Sequence, residues 1–153
     1  MAEASATRDG GLEISGGLDD AYILKSSHSA FEGYPRDKYT TLEETKDRLL
    51  ATSVSARWRY PSEDTKFGVI AKAIRTTLIE TFAEHRSQSV QHTLYAMAKA
   101  ALDHCVEIDE ISLRMPNKHH LLVDLSPFGL DNPNEVFVAT TEPYGLIQAT
   151  LKR

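Results

Sequence analysis

Apolar residues recur along this chain with two different periods, and each period marks a different kind of element. Over residues 52–60 they alternate, with Val54, Ala56, Trp58 and Tyr60 on one face and Ser53, Ser55, Arg57 and Arg59 on the other. Alternation sends successive side chains to opposite sides of an extended backbone, so this stretch predicts a half-buried strand. Its polar face carries two arginines and is expected to meet water or a partner. The breaker Pro61-Ser62-Glu63-Asp64 ends it, and the period changes. Phe67, Ile70, Ala71, Ile74, Leu78 and Phe82 form one stripe at helical spacing. Val90, Leu94, Met97, Ala98, Ala101, Leu102 and Cys105 form a second, with Ser87 and Ser89 as candidate caps between the two helices. Alternation then returns in Ile111, Leu113 and Met115 before Pro116, and in Leu121, Val123 and Leu125 after it. Ser126-Pro127-Phe128-Gly129 reads as a turn. Val136 and Val138 open a last β region that residues 146–151 close, and upstream residues 21–25 read as a strand.

The resulting order is ββααββ. Each helix has a single apolar stripe, so both are expected on one face of a sheet. Strands on either side of a helical middle imply an α+β domain with an antiparallel, four-stranded sheet. Residues 1–17, rich in Ala, Ser and Gly, read as a flexible tail, mostly disordered before Leu12, which leaves residues 18–153 as the domain.

Composition narrows the class of partner. At 153 residues the chain has room for one domain with a real core. A net charge of −5 and a pI near 5.7 give no basic excess, so no nucleic-acid partner is expected. The single cysteine, Cys105, allows neither an internal disulfide nor a multi-cysteine metal site, and on a helical stripe it packs as a small hydrophobe. No apolar run is long enough for a membrane span, and no basic segment followed by an apolar core marks a secretory signal. The chain ends Leu151-Lys152-Arg153 rather than in the Ser-Lys-Leu peroxisomal address, so a cytoplasmic location is expected.

The candidate chemistry begins in residues 24–48, LKSSHSAFEGYPRDKYTTLEETKDR. Thr41-Leu42-Glu43-Glu44 reads as a capping box that starts a short helix, with Arg48 in its last turn, where a cation suits the helix dipole. A fixed guanidinium beside Phe31 suits a planar, anionic heterocycle, because the ring stacks and the fork pairs with adjacent acceptors. By spacing alone, such an arginine is more often an exposed cap and such a phenylalanine more often core. Gln91 by itself reads as an exposed helix residue, and Asn117 after Pro116 as a turn pair. Neighbouring His119 and His120 point to opposite faces of a strand and do not easily chelate one ion, so no metal site is expected.

Four motifs stand in order along the chain: residues 24–48, Ser89-Val90-Gln91, Met115-Pro116-Asn117-Lys118-His119-His120, and Pro143-Tyr144-Gly145-Leu146-Ile147. Together, over residues 18–153, they closely resemble the second half of the urate oxidase (uricase) family. The resemblance implies a tunnelling fold, whose sheets join across subunits into a barrel, and a homotetramer. It implies oxidation of urate by dioxygen and water to 5-hydroxyisourate and hydrogen peroxide, without metal or organic cofactor. It also assigns roles. Arg48 and Gln91 form a pincer in the purine plane, Phe31 stacks on one ring face, and Val90 touches the ligand edge through its backbone. Asn117 sits above the ring and holds dioxygen or the attacking water, and His119 belongs to a proton relay.

Members of that family are about twice as long, with two tandem domains. The first supplies a lysine and a threonine that act as the base dyad, beside an aspartate. Thr40 and Thr41 belong to the second-half motif and do not stand in for them. The expectation is therefore one half of a split, cleaved or shortened uricase, inactive until a complementary N-terminal half joins it. Two other classes are weighed against it: a purine-binding or assembly module that has lost oxidation, and a tunnelling-fold enzyme for pterins, which lacks these four motifs.

Overall fold

The computed structural model describes residues 1–6, 8 and 10–153. In chain order the elements are β1 (Ala2–Ala6), β2 (Leu12–Lys25), β3 (Leu50–Tyr60), α1 (Phe67–Glu84), α2 (Val90–His104), β4 (Glu110–Lys118), β5 (His120–Leu122), β6 (Phe137–Ala139) and β7 (Leu146–Lys152). A single-turn 3-10 helix, Ser126–Phe128, makes the expected turn and ends on Gly129 at φ 68°, a left-handed conformation suited to glycine. One antiparallel sheet runs β1-β2-β3-β4-β7, and β5 pairs with β6 as a separate two-stranded ribbon.

The alternation read over residues 52–60 sorts the two faces of this sheet. Val54, Ala56, Trp58 and Tyr60 are buried, as are Ile111, Leu113 and Met115 on β4. Both helices cover that face, α1 through Ile74, Leu78 and Phe82, and α2 through Leu94, Met97, Ala98 and Ala101. Burying such stripes is what drives helices onto a sheet, since apolar area removed from water yields about 25 cal/mol per Å2. On the other face Arg57 and Arg59 are exposed and paired, Arg57 with Asp19 at 2.6 Å and Arg59 with Asp109 through two bonds of 2.7 and 2.9 Å. Distant cations also close the helix ends. Lys25 Nζ donates to the carbonyls of Phe82, Ala83 and His85 at the end of α1, and Arg153 Nη2 donates to those of Leu102 and Cys105 at the end of α2. Each satisfies carbonyls that lack a partner within the helix and complements its dipole.

Two expectations need correction. The sheet has five strands rather than four, because much of the stretch read as a tail is strand. β1 pairs with β2 in register from Ala2 opposite Gly16 to Ala6 opposite Leu12, so Leu18 is not a structural boundary. Residues 7 and 9 of the expected tail lie outside the described residues. Gly16 and Gly17 are strand positions crossed by side chains of β3: a Cβ on Gly16 would lie 2.4 Å from Trp58 Nε1, and one on Gly17 2.6 Å from Arg57 Nη1. A second methyl cannot share the space of the indole, whose Nε1 donates to Tyr60 Oη at 2.7 Å. Gly16→Ala is therefore expected to destabilise the fold by about 1–3 kcal/mol through overpacking. An unchanged denaturant midpoint would show that Trp58 has room to move.

The second correction concerns residues 41–48, which form no helix. Thr45 and Phe31 exchange backbone bonds of 2.7 and 3.1 Å, an isolated antiparallel bridge. Glu44 does not reach back to Thr41; its Oε1 accepts from Gly33 N at 2.9 Å. A helix of two turns is marginal without tertiary support. Here the tertiary partner is the segment around Phe31, whose isolated bridge to Thr45 takes backbone bonds that the helix needed.

Candidate active site

The segment carrying Phe31 and Arg48 is tied to the start of α2. Ser29 and Ser87 form a parallel bridge, with Ala30 N donating to Ser87 O at 2.8 Å and Ser87 N to His28 O at 2.9 Å. Ser89 then caps α2 by accepting from His92 N at 3.1 Å, and Val90 and Gln91 are the first two helical residues. Ser87, the other candidate cap, instead donates to Ser89 O at 3.0 Å and accepts from Thr93 Oγ1 at 2.7 Å. Val90 is buried, while Gln91 is exposed. Beneath this helix start, His85 and His92 meet edge to face at 4.4 Å. Burial, followed by the neighbouring His92 and Lys25, holds the His85 imidazole below its ordinary pKa.

Arg48 is fixed by its neighbours rather than by a helix dipole. Its backbone N donates to Ser29 O at 2.9 Å, and its Nε donates to Ala30 O at 3.2 Å. The guanidinium carbon lies 5.4 Å from the Phe31 ring centroid. Its Nη2 is buried with no hydrogen-bond partner, and desolvation lowers the pKa of the group. No ion pair involves Arg48 among the described residues. A half-buried cation without a carboxylate partner beside an aromatic ring is a costly arrangement that an anion relieves. Phe31 also carries Tyr34 stacked at 4.6 Å and 19°. Sequence reasoning did not single out Tyr34, although it lies within the same motif.

Asn117 reaches this end of the sheet from β4. It is opposite Thr52 of β3, and its backbone N donates to Gly145 O at 2.8 Å. The Pro143-Tyr144-Gly145 motif thus holds Asn117 from the β7 side. By alternation from Ile111, Leu113 and Met115, Asn117 belongs to the helix-covered face. His119 lies between β4 and β5, half-buried, and its carbonyl accepts from Thr140 N at 2.9 Å. The side chains of Gln91, Asn117 and His119 make no hydrogen bond to other described residues, so their polar atoms are available to a ligand.

The structure therefore brings Phe31, Arg48, Val90 and Gln91 around the start of α2, with Asn117 on the adjoining strand end. The open face of the sheet is separate. A groove of ≈ 530 Å3 there is lined by Arg57, Arg114 and Gln148, and a second, of ≈ 300 Å3, by Lys118, His120 and Tyr144. None of the expected site residues lines either groove. No cluster of three or more His, Cys, Asp or Glu side chains forms a metal-ligand set among the described residues.

A two-helix layer on one face of an antiparallel sheet, with these groups at one sheet end, defines an α+β tunnelling-fold domain. The uricase family model matches residues 14–148, and the chain belongs to that family. It is 52% identical to a uricase of Arthrobacter globiformis over 97% of this chain and 52% of that protein. To a uricase of Dictyostelium discoideum it is 38% identical, again over 97% and 52%. The crystal structure of the Arthrobacter globiformis uricase superposes with a TM-score of 0.91 at 52% identity, covering 94% of this chain and 50% of that one. A urate oxidase from Bacillus sp. TB-90 superposes at 0.80 with 25% identity, over 98% and 52%. The chain spans about half the length of the curated relatives it matches.

Proposed function

We propose that this domain is the C-terminal half of a urate oxidase and supplies the clamp for urate and the Asn/His pair of the oxidation site. The observation that carries this reading is the half-buried Arg48 guanidinium, whose buried Nη2 has no partner among the described residues and which lies beside Phe31. Urate is a planar anion with adjacent acceptors at its edge. Arg48 offers a charge-assisted fork in the ring plane, and the Gln91 amide both donates and accepts against a lactam edge. Phe31 stacks on the ring, and Val90 closes one edge through its backbone.

The reaction is balanced without a redox group in the protein. Deprotonated urate gives two electrons to dioxygen, water adds at the oxidised carbon, and hydrogen peroxide and 5-hydroxyisourate leave. The protein's task is to hold the anion flat, keep dioxygen and then water over one face, and move protons. Asn117 holds the co-reactant by its free amide, and His119 takes part in the proton relay. The first deprotonation falls to a Lys/Thr dyad on a complementary N-terminal half, present as a second chain or a preceding domain. The polar open face of the sheet and its β1 and β7 edges are then covered by association, which closes a barrel.

Mixing this chain with the N-terminal half of the Arthrobacter globiformis relative and following urate absorbance and peroxide tests the reading. Urate consumption is expected only in the mixture, by a large oligomer detectable by light scattering. Turnover by the isolated 153-residue chain, with no partner detectable by mass spectrometry, would overturn the division of roles. A mixture that binds purine and forms the oligomer without consuming urate would favour a purine-binding or assembly module.

A further inference from the structure

Four buried side-chain polar atoms have no hydrogen-bond partner among the described residues: Ser29 Oγ, Arg48 Nη2, Thr52 Oγ1 and His85 Nε2. Orphaned polar atoms are uncommon inside proteins, and each calls for a reason. Arg48 has one in the proposed clamp. Thr52 has none from packing. It is fully buried, and it shares the parity of Val54, Ala56 and Trp58, which places it on the helix-covered face of β3. Valine would fill that position with nearly the same shape and no orphaned hydroxyl.

The position of Thr52 in the ladder supplies the reason. It stands directly opposite Asn117 in the β3–β4 pairing. Opposed residues of an antiparallel pair hold their Cβ atoms about 4.5–5.5 Å apart on the same face. A hydroxyl and an amide on one such rung are within reach of each other or of one bridging water. The Asn117 amide has no partner among the described residues, and the terminal torsion of asparagine is broad. Its orientation is therefore set by whatever else is on that rung.

We propose that Thr52 is a positioning residue of the oxidation site: its hydroxyl, through one shared water, orients the Asn117 amide that holds the co-reactant over the purine ring. This rests on the reading of the site given above and extends it by one residue. The hydroxyl is both donor and acceptor, so it selects which end of the amide faces the ring. Binding of the purine itself, which depends on Arg48, Gln91 and Phe31, is not its task.

Two measurements test this. In the isolated, 15N-labelled chain, Thr52→Val is expected to shift the Asn117 side-chain amide resonances and speed their exchange with water. Asn132 is the internal control for folding, because its Nδ2 donates to Val123 O and Val136 O at 2.9 and 2.7 Å. Unchanged Asn117 resonances with an intact Asn132 overturn the proposal. In the chain assembled with the N-terminal half, Thr52→Val is expected to lower kcat about threefold to tenfold, the worth of one neutral hydrogen bond. Affinity for xanthine, a purine with the same lactam edge, stays as in the parent, Thr52→Ser restores turnover, and Thr52→Val adds nothing to Asn117→Ala. Equal losses of kcat and xanthine affinity would make Thr52 a packing residue and overturn the proposal. Full activity of Thr52→Val beside a crippled Asn117→Ala overturns it and leaves the site standing. Full activity of both variants overturns the site itself.

Discussion

In the proposed assembly with an N-terminal half, Asn117→Ala and His119→Ala are each expected to lower urate turnover about 100-fold to 10,000-fold, the usual worth of a positioned acid–base or charge-stabilising group. Purine affinity is expected to change little. The two residues stand on and just beyond the end of β4 and are part of neither the Arg48–Phe31 contact nor the start of α2. Their side chains make no hydrogen bonds to other described residues, so removing them breaks none of the bonds that hold the fold. An interaction made only as the reaction proceeds lowers kcat and kcat/KM together, whereas loss of uniform binding raises KM alone. Steady-state kinetics beside xanthine titrations separate these cases. If either variant lost affinity and kept kcat, that side chain would belong to the grip on the purine.

How much of this was legible in the sequence depends on how local each cause is. The start of α2 was largely legible: of the two candidate caps Ser89 caps the helix, and the apolar stripe packs on the sheet. Strand β3 was equally plain, because alternation reads burial directly. The expected helix over residues 41–48 failed for a non-local reason. Its capping box is a preference of four residues, and the competing bridge comes from Phe31, fourteen positions before Thr45. The Gly16-Gly17 pair failed similarly. Glycines in a small-residue stretch resemble a linker until Trp58 and Arg57 are seen lying across them. The candidate site residues were singled out only through the family motifs. No periodicity distinguishes a clamp arginine from a surface one, and burial of Arg48 Nη2 is a tertiary fact. Thr52 did leave a signal: it carries a hydroxyl at a position whose parity is that of Val54 and Trp58.

The clamp yields the most exacting expectation. Arg48→Ala removes two charge-assisted bonds to a desolvated anion, each worth about 1.5–3 kcal/mol, so purine affinity should fall by about two to four powers of ten. Arg48→Lys should fare nearly as badly. A compact ammonium cannot make the planar fork, and a shorter donor set cannot keep the bond to Ala30 O while also reaching the ligand. Stability is expected to move differently from affinity. The guanidinium is desolvated, carries a buried Nη2 without a partner, and faces no carboxylate within ion-pair distance among the described residues. Replacing a half-buried charge that lacks a carboxylate partner with an apolar chain of similar length removes a desolvation cost and gives up one bond to a carbonyl. Arg48→Met should therefore hold or raise the denaturant midpoint while abolishing the high-affinity grip, the pattern of a residue kept for its ligand at the expense of the fold. A marked drop in that midpoint, with xanthine still bound at parental affinity, would instead make Arg48 a structural cap on the Ala30 carbonyl and move the purine site elsewhere.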